Sequence, residues 1–372
     1  MFTKYPNQVA VWGDVNNDGC VDLFIGNESY YSELYENQCD ESFINKAQQY
    51  GVNVINFVKG AAWGDINNDG LLDLFISSFG KRNQLFLNQG KNQPMKLLSF
   101  ANVDLPIFSY STWFFDFNND GFEDLFVSYY DLNHQQFLST KNMDVSNVSG
   151  IVYENKMTNT FQPIAYTGSI NTMGANFGDL NGDGFLDIYL SKSAPDLFFK
   201  SVNQVYINNG GNQLKQPSSQ FGLADIQSGN AVAFADVDYD GDLDIYLVNG
   251  GWFPVDHSFN RLFINESPRN HWIGLKLVGI NTNRSAIGVR IKLTVLTKDG
   301  SYRRIFRTVS SGGSFGSSPF FEIISFSVDK FVDLEVYWPV SKSRYVYDKL
   351  SDGESYEIYE NGLIKKIKQP LH

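Results

Sequence analysis

One nine-residue frame constrains this chain more than anything else in it. D-x-[DN]-x-D-G-x-x-D occurs at Asp14–Asp22 (DVNNDGCVD), Asp65–Asp73 (DINNDGLLD), Asp116–Asp124 (DFNNDGFED), Asp179–Asp187 (DLNGDGFLD) and Asp236–Asp244 (DVDYDGDLD). Oxygen-bearing side chains recur at frame positions 1, 3, 5 and 9. They are Asp14, Asn16, Asp18 and Asp22; Asp65, Asn67, Asp69 and Asp73; Asp116, Asn118, Asp120 and Asp124; Asp179, Asn181, Asp183 and Asp187; Asp236, Asp238, Asp240 and Asp244. Ca²⁺ is a hard cation that takes six to eight oxygen ligands, so the frame reads as a calcium loop. Glycine at position 6 permits the sharp turn that brings both ends around one ion. The carbonyl of position 7 (Cys20, Leu71, Phe122, Phe185 and Asp242) is placed to add a backbone ligand, and the side chain of Asp242 is then expected to face solvent. About five Ca²⁺ ions, one per loop, are the expected cofactors. A single DxNxDG is equally an Asx-rich turn between strands; five copies in one frame argue against that. An EF-hand closes with Glu at position 12 between two helices. Here the closing carboxylate stands at position 9 and LFI, LFV or IYL follows, which favours a strand. The glycine-rich RTX pattern is absent, and Mg²⁺ prefers fewer protein ligands and more water.

The first aspartates fall at 14, 65, 116, 179 and 236, a period of 51 to 63 residues. Such a period marks a propeller or an array of β units. An aromatic (Trp12, Trp63, Phe114, Phe177, Phe234) precedes each first Asp by two positions and is read as core packing rather than ligand stacking. A strand enters each loop and LFI or IYL leaves it. LYEN (34–37), LFLN (85–88), VYIN (205–208) and LFIN (262–265) supply a third strand. In the third unit QFLST (136–140) and IVYEN (151–155) compete for that role, with an insertion expected near 141–150. FINKA (43–47), FQPIA (161–165) and SSQFGL (218–223) suggest fourth strands, and the fifth unit has no obvious one. Four short strands per unit is the arithmetic of a blade.

Residues 9–266 resemble the FG-GAP/VCBS repeats that also build integrin α-subunit propellers. The resemblance implies a β-propeller with one Ca²⁺ per loop, either a closed five-bladed ring or part of a seven-bladed one. The fold expected is all-β: this propeller over residues 1–268, then a second domain over 269–372. In the latter, about seven alternating runs between HWIGLKLVG (271–279) and SYEIYE (355–360) suggest a β-sandwich. NHWI (270–273), NTNRSAIGVRI (281–291), SGGSFGSS (311–318) and WP (338–339) resemble the ASPIC/UnbV domain, which follows VCBS repeats in the cartilage acidic protein family. The chain departs from that family after Ser318, where FFEIISFS stands, and after Trp-Pro, where Val340-Ser341-Lys342 stands.

The net charge of −12 is unevenly divided: −18 over residues 1–268 and +6 beyond. Sixteen acidic residues are proposed ligands, so the acidity belongs to the metal sites and says little about a cationic partner. Without metal the clustered carboxylates should repel one another. No run of about 18 apolar residues exists, so no transmembrane helix is expected. The start, MFTKYPNQVAVWGD, carries no signal-peptide core; either no cleaved signal exports the chain or the natural N-terminus lies elsewhere. Cys20 and Cys39 are either one disulfide of an oxidising compartment or two unrelated thiols. EGF-like modules need more cysteines than these two.

No G-x-S-x-G, HExxH or phosphate-binding loop occurs, and the four histidines (His134, His257, His271, His372) sit in no nucleophile motif. His271, at the boundary between the two domains, is expected to pack or hydrogen-bond. Arg290, Lys292, Arg303, Arg304 and Arg307 read as a solvated strand face before an anion site, and KKIK (365–368) as a solubilising tail rather than a nucleic-acid patch. The reading that follows is a calcium-stabilised, non-catalytic propeller for binding or adhesion. Calcium-site logic places it outside cells, in a periplasm or on a cell surface, with a protein or glycan ligand and no nucleic acid. The alternatives are a polysaccharide-acting enzyme or biosynthetic accessory protein, or a lectin-like module using exposed aromatics such as Tyr30 and Trp252.

Overall fold

A computed structural model describes residues 4–105, 108–130, 148–168, 172–192, 202–216, 221–226, 229–250, 258–267, 270–313, 315–317 and 319–368. QFLST, most of the 141–150 insertion, Trp252, His134, His257 and His372 lie outside the described residues.

Each unit starts as a hairpin whose loop is the nine-residue frame. The entering strand is rich in small and aromatic residues, the leaving one in β-branched and aromatic residues, as a strand buried on both faces requires. Blade 1 comprises β1 (Asn7–Gly13), β2 (Asp22–Tyr31), β3 (Glu33–Asn37) and β4 (Phe43–Asn45), then a one-turn helix α1 (Ala47–Tyr50). Blade 2 has β5 (Ile55–Gly64), β6 (Asp73–Ser78), β7 (Gln84–Leu87) and β8 (Lys96–Leu97). Blade 3 has β9 (Ser109–Phe115), β10 (Asp124–Tyr129), β11 (Val148–Asn155) and β12 (Phe161–Gly168), so IVYEN is its third strand. Blade 4 has β13 (Thr172–Gly178), β14 (Asp187–Lys192), β15 (Gln204–Asn208) and β16 (Leu214–Lys215). Its fourth strand therefore precedes SSQFGL, because the tight Gly210–Gly211 turn folds the chain back at once. Blade 5 has β17 (Gly229–Ala235), β18 (Asp244–Asn249) and β19 (Arg261–Phe263).

Register is identical in all five hairpins. The residue before the loop faces the ninth: Gly13 with Asp22, Gly64 with Asp73, Phe115 with Asp124, Gly178 with Asp187 and Ala235 with Asp244. Successive blades then pack against one another, and blades 1 and 2 are in addition hydrogen-bonded where the end of β2 pairs antiparallel with the start of β5. A side chain on Gly13, Gly64 or Gly178 would run into Trp63, Phe114 or Phe234 of the next blade, at 2.8, 2.5 and 2.7 Å. Four apolar cores result, joining blades 1 and 2, 2 and 3, 3 and 4, and 4 and 5. Among the described residues no core joins blade 5 to blade 1.

Beyond the blades come β20 (Trp272–Val278), β21 (Arg290–Leu296), β22 (Tyr302–Thr308), β23 (Gly316–Ser317), β24 (Phe321–Ser325), β25 (Lys330–Trp338), β26 (Ser343–Tyr347), β27 (Glu354–Tyr359) and β28 (Ile364–Ile367). They form two four-stranded sheets, β24-β20-β27-β28 and β22-β21-β25-β26, around one core that includes Leu275, Leu293 and Trp338. The expected tail KKIK is the edge strand β28, because Asn361-Gly362 turns the chain back beside β27. β23 stands apart and pairs with the inner strand β17 of blade 5.

Candidate functional site: five acidic loops against the second domain

Backbone geometry, not only side-chain chemistry, repeats in the loops. Position 4 is left-handed in all five (Asn17, Asn68, Asn119, Gly182, Tyr239) and so is the position 6 glycine, with φ between 87° and 97°. The first carboxylate accepts from the N–H groups of positions 5 and 6, as Asp14 does from Asp18 (3.1 Å) and Gly19 (3.0 Å). Asp65, Asp116, Asp179 and Asp236 repeat the pair. Position 9 ties the loop to the blade. Asp22 accepts from Val15 N–H (2.8 Å) and from Asn37 N–H at the end of β3 (2.8 Å), and Asp73, Asp124, Asp187 and Asp244 do the same in their units.

These carboxylates are buried where their charge is costly. Burial pushes Asp14 and Asp65 up to about 6, Asp116 to about 7, and Asp22 and Asp124 to about 8. Asp73, Asp179 and Asp187 are raised as well, by burial first and neighbouring carboxylates second. An all-oxygen cluster whose ionised form is disfavoured only by burial and self-repulsion fits a hard divalent cation. In loop 5 the carboxylate oxygens of Asp236, Asp238 and Asp244 converge within 4.8 Å of one another. Asn16, Asn67, Asn118 and Asn181 stand at position 3 of the other loops, each accepting from the position 5 N–H. The position 7 residues Cys20, Leu71, Phe122 and Phe185 donate their N–H to the position 5 carboxylate.

Asp242 departs from expectation. Its side chain is buried, not solvent-facing, and is pushed up to about 6 by burial and by Asp240, Asp236, Asp244 and Asp238. Loop 5 thus carries a fifth carboxylate, buried beside the converging Asp236, Asp238 and Asp244. Cys20 and Cys39 form a disulfide that ties loop 1 to the turn between β3 and β4.

Sequence reasoning missed what covers the loops. Each meets the second domain at its glycine: a Cβ on Gly19 would lie 2.5 Å from Asn281 O, on Gly70 3.2 Å from Pro339, on Gly121 3.3 Å from Phe306, on Gly184 2.7 Å from Ile305, and on Gly241 against Trp272. Three arginines read from sequence as a solvated face point here instead. Arg290 donates to Gly121 O (2.8 Å), Arg303 to Asp183 O (2.5 Å) and Arg307 to Gly184 O (3.2 Å). The charge of Arg290 offsets Asp65 and that of Arg307 offsets Asp116 and Asp179, while Arg303 is paired with Asp329. Asn270 donates to Asn181 O (2.9 Å), filling the space left by Gly182. His271 pairs with Asp352 and stacks on Phe326, a packing role.

Residues 311–313 and 315–317 of the glycine-rich segment lie against the inner strands β1, β9, β13 and β17. Ser311 Oγ donates to Trp12 O of β1 (2.7 Å), the Phe315 ring meets Tyr110 of β9 at 5.8 Å, and Phe315 O accepts from Val232 N–H of β17 (3.3 Å). Gly313 abuts Thr112 and Gly316 abuts Ala175, so closely that any side chain there would collide with backbone. Glycines inside a strand-rich stretch are the sequence signal for such an approach.

Residues 14–76, 65–127 and 194–247 match the family model of the FG-GAP-like repeat. Cartilage acidic protein 1 of Xenopus tropicalis is 29% identical over 90 residues, 24% of this chain and only 14% of that protein's length. Among solved structures, Saccharomyces cerevisiae Sqt1 is similar over 98% of this chain and 81% of its own, at 8% identity and a TM-score of 0.42. The SapL1 lectin, solved with α-methyl fucoside, is similar over 93% and 97%, at 8% identity and 0.40. The chain carries FG-GAP-like repeats in an all-β, five-blade propeller arrangement. No described helix is long and apolar enough to cross a membrane.

Proposed function

We propose that this chain is a calcium-stabilised, non-catalytic binding propeller that works where Ca²⁺ is plentiful, outside the cytosol. The observation that carries the reading is the fivefold repetition of buried carboxylates. In every loop positions 1 and 9 are held in one geometry by backbone donors, and Arg290 and Arg307 offset the first carboxylates of loops 2 to 4 in part. One Ca²⁺ per loop would be held by the oxygens of positions 1, 3, 5 and 9 with the position 7 carbonyl. Extracellular sites of this type bind at roughly 10⁻⁴ to 10⁻³ M. The second domain, read as ASPIC/UnbV-like, would then act as a base on which all five loops rest.

A thermal melt with excess Ca²⁺ and with chelator tests this. At a hundredfold excess over Kd, each occupied site adds about 2.7 kcal/mol. An unchanged midpoint refutes calcium binding. Asp69→Ala should weaken one site and spare the other four.

A glycan is the ligand class with a specific feature behind it. Tyr5 and Tyr30 stack at 4.5 Å while both remain exposed, with the exposed Tyr31 beside them. Stacked exposed rings suit the apolar face of a sugar. A glycan array with Tyr30→Ala as control tests it; no wild-type signal, or signal equal in the variant, counts against it.

A further inference from the structure

Loops 1, 3 and 4 carry one donor set, Asp, Asn, Asp and Asp at positions 1, 3, 5 and 9, on one backbone geometry. What differs is the charge that the second domain brings to them. Loop 1 meets the neutral carbonyl of Asn281 at Gly19, and the groups that act on Asp14 and Asp22 are backbone donors and other carboxylates. Loops 3 and 4 meet β22 instead. Phe306 lies over Gly121 and Ile305 over Gly184, so one stretch of that strand covers both loops, and Arg307 follows it directly.

Arg307 is buried. It donates to Gly184 O (3.2 Å) and Phe306 O (2.7 Å), and it lines a chamber of about 60 Å³ together with Asp116, Asp179 and Glu322. Its charge acts on Asp116 of loop 3 and on Asp179 and Asp183 of loop 4. Loop 2 is mixed: Arg290 acts on Asp65, but the Glu123 carboxylate accepts from Asp65 N–H (2.6 Å) and restores a negative charge there.

A guanidinium keeps its proton in a protein, so Arg307 stays charged whatever occupies the loops. In water its field would be weak; in a buried chamber the effective dielectric is lower and the field stronger. The group that offsets two carboxylates before metal binding therefore repels an entering ion, and the ion carries twice the charge of a proton or a guanidinium. Loop 1 offers the same ligands without that repulsion.

We propose that Arg307 makes loops 3 and 4 a weaker pair of calcium sites than loop 1, filled later as free Ca²⁺ rises, so that the second domain grades which blades are metal-loaded. The inference rests on the calcium reading and deepens it by naming the residue that ranks the sites. Once an ion has taken Asp116 and Asp179, Glu322 is the counter-charge left to Arg307. Coupling is reciprocal, so calcium in loops 3 and 4 weakens the seat of β22 by the factor that Arg307 takes from calcium affinity.

Equilibrium dialysis of the full chain against radiolabelled Ca²⁺, counting ions bound per chain as free Ca²⁺ rises, tests the ranking. Asp18→Ala and Asp120→Ala each disable one loop at an exposed position 5 side chain. The ion lost from Asp18→Ala should vanish from the early part of the curve. The ion lost from Asp120→Ala should vanish from a part lying roughly fivefold or more higher in free Ca²⁺. Arg307→Met combined with Glu322→Gln removes both buried charges together and should bring the late ions forward by a similar factor. Where that double variant does not fold, the two loop variants decide the ranking alone. Ions lost from the same part of the curve in both loop variants, or a folded double variant that fills as wild type does, would overturn the ranking and leave the calcium reading standing. No ion bound by wild type would sink the calcium reading and the ranking with it.

Discussion

Asn155→Ala isolates the staple between neighbouring blades. Asn155 is 1% exposed. Its amide donates to Ile66 O of the preceding loop (2.6 Å) and to Glu123 O (3.1 Å), and its oxygen accepts from Met157 N–H (2.9 Å). Alanine leaves two buried carbonyls and one N–H without partners and opens a small void. Each unsatisfied buried group costs about 1–3 kcal/mol, and partial relaxation brings the sum to about 3–4 kcal/mol. Asn37→Ala is the internal control, because that side chain contacts only its own blade, Val21 O and Cys39 N–H; there about 1 kcal/mol is expected. With about 2–4 °C per kcal/mol in a domain this large, the midpoints should fall by roughly 10 °C and 3 °C. Melts followed by circular dichroism in saturating Ca²⁺ would measure both. Equal losses, or a loss below about 1 kcal/mol for Asn155→Ala, would refute the view that this Asn holds neighbouring blades together.

Three further outcomes are expected. In chelator, stability should rise as pH falls from about 8 to about 6: Asp22, Asp124, Asp116, Asp14 and Asp65 have raised values of about 8, 8, 7, 6 and 6, so the folded chain takes up protons the unfolded chain does not. Saturating Ca²⁺ should reverse the trend, since protons then compete with the ion; urea titrations at each pH read the sign. Gly316→Val should drive a side chain into Ala175 O and weaken docking of the glycine-rich segment by about 1–3 kcal/mol, seen as a lower midpoint, whereas Ser311→Ala loses one bond to Trp12 O and should cost less. Reducing Cys20–Cys39, 19 residues apart in sequence, should cost about 3 kcal/mol, and an unchanged urea midpoint after reduction would contradict that.

Local chemistry made much of this molecule legible in advance. Frame position 6 needs glycine for a left-handed turn, position 9 needs a carboxylate to tie the loop to the third strand, and two apolar strands must flank a loop whose backbone donors are spent on Asp. Those requirements act over short stretches of chain, so sequence alone sets five hairpins, their order and four of the third strands; in unit 3, where Asp124 and Asn155 are 31 residues apart, QFLST and IVYEN stayed in competition until the structure chose IVYEN. What it left undecided depends on groups brought together from far apart. Arg307 looks like a solvated strand residue until Gly184, 123 residues away, meets it. SGGSFGSS reads in the sequence only as a resemblance to a family motif until β1, β9, β13 and β17 come close around Ser311, Gly313, Phe315 and Gly316, where the two glycines leave room for the approach. Asp242 is buried in the folded loop although its place in the frame suggests a solvent-facing side chain. Tyr246 and Trp12 carry the same residue types as their buried counterparts. Among the described residues no further blade packs against them, so they stand exposed where their counterparts are buried.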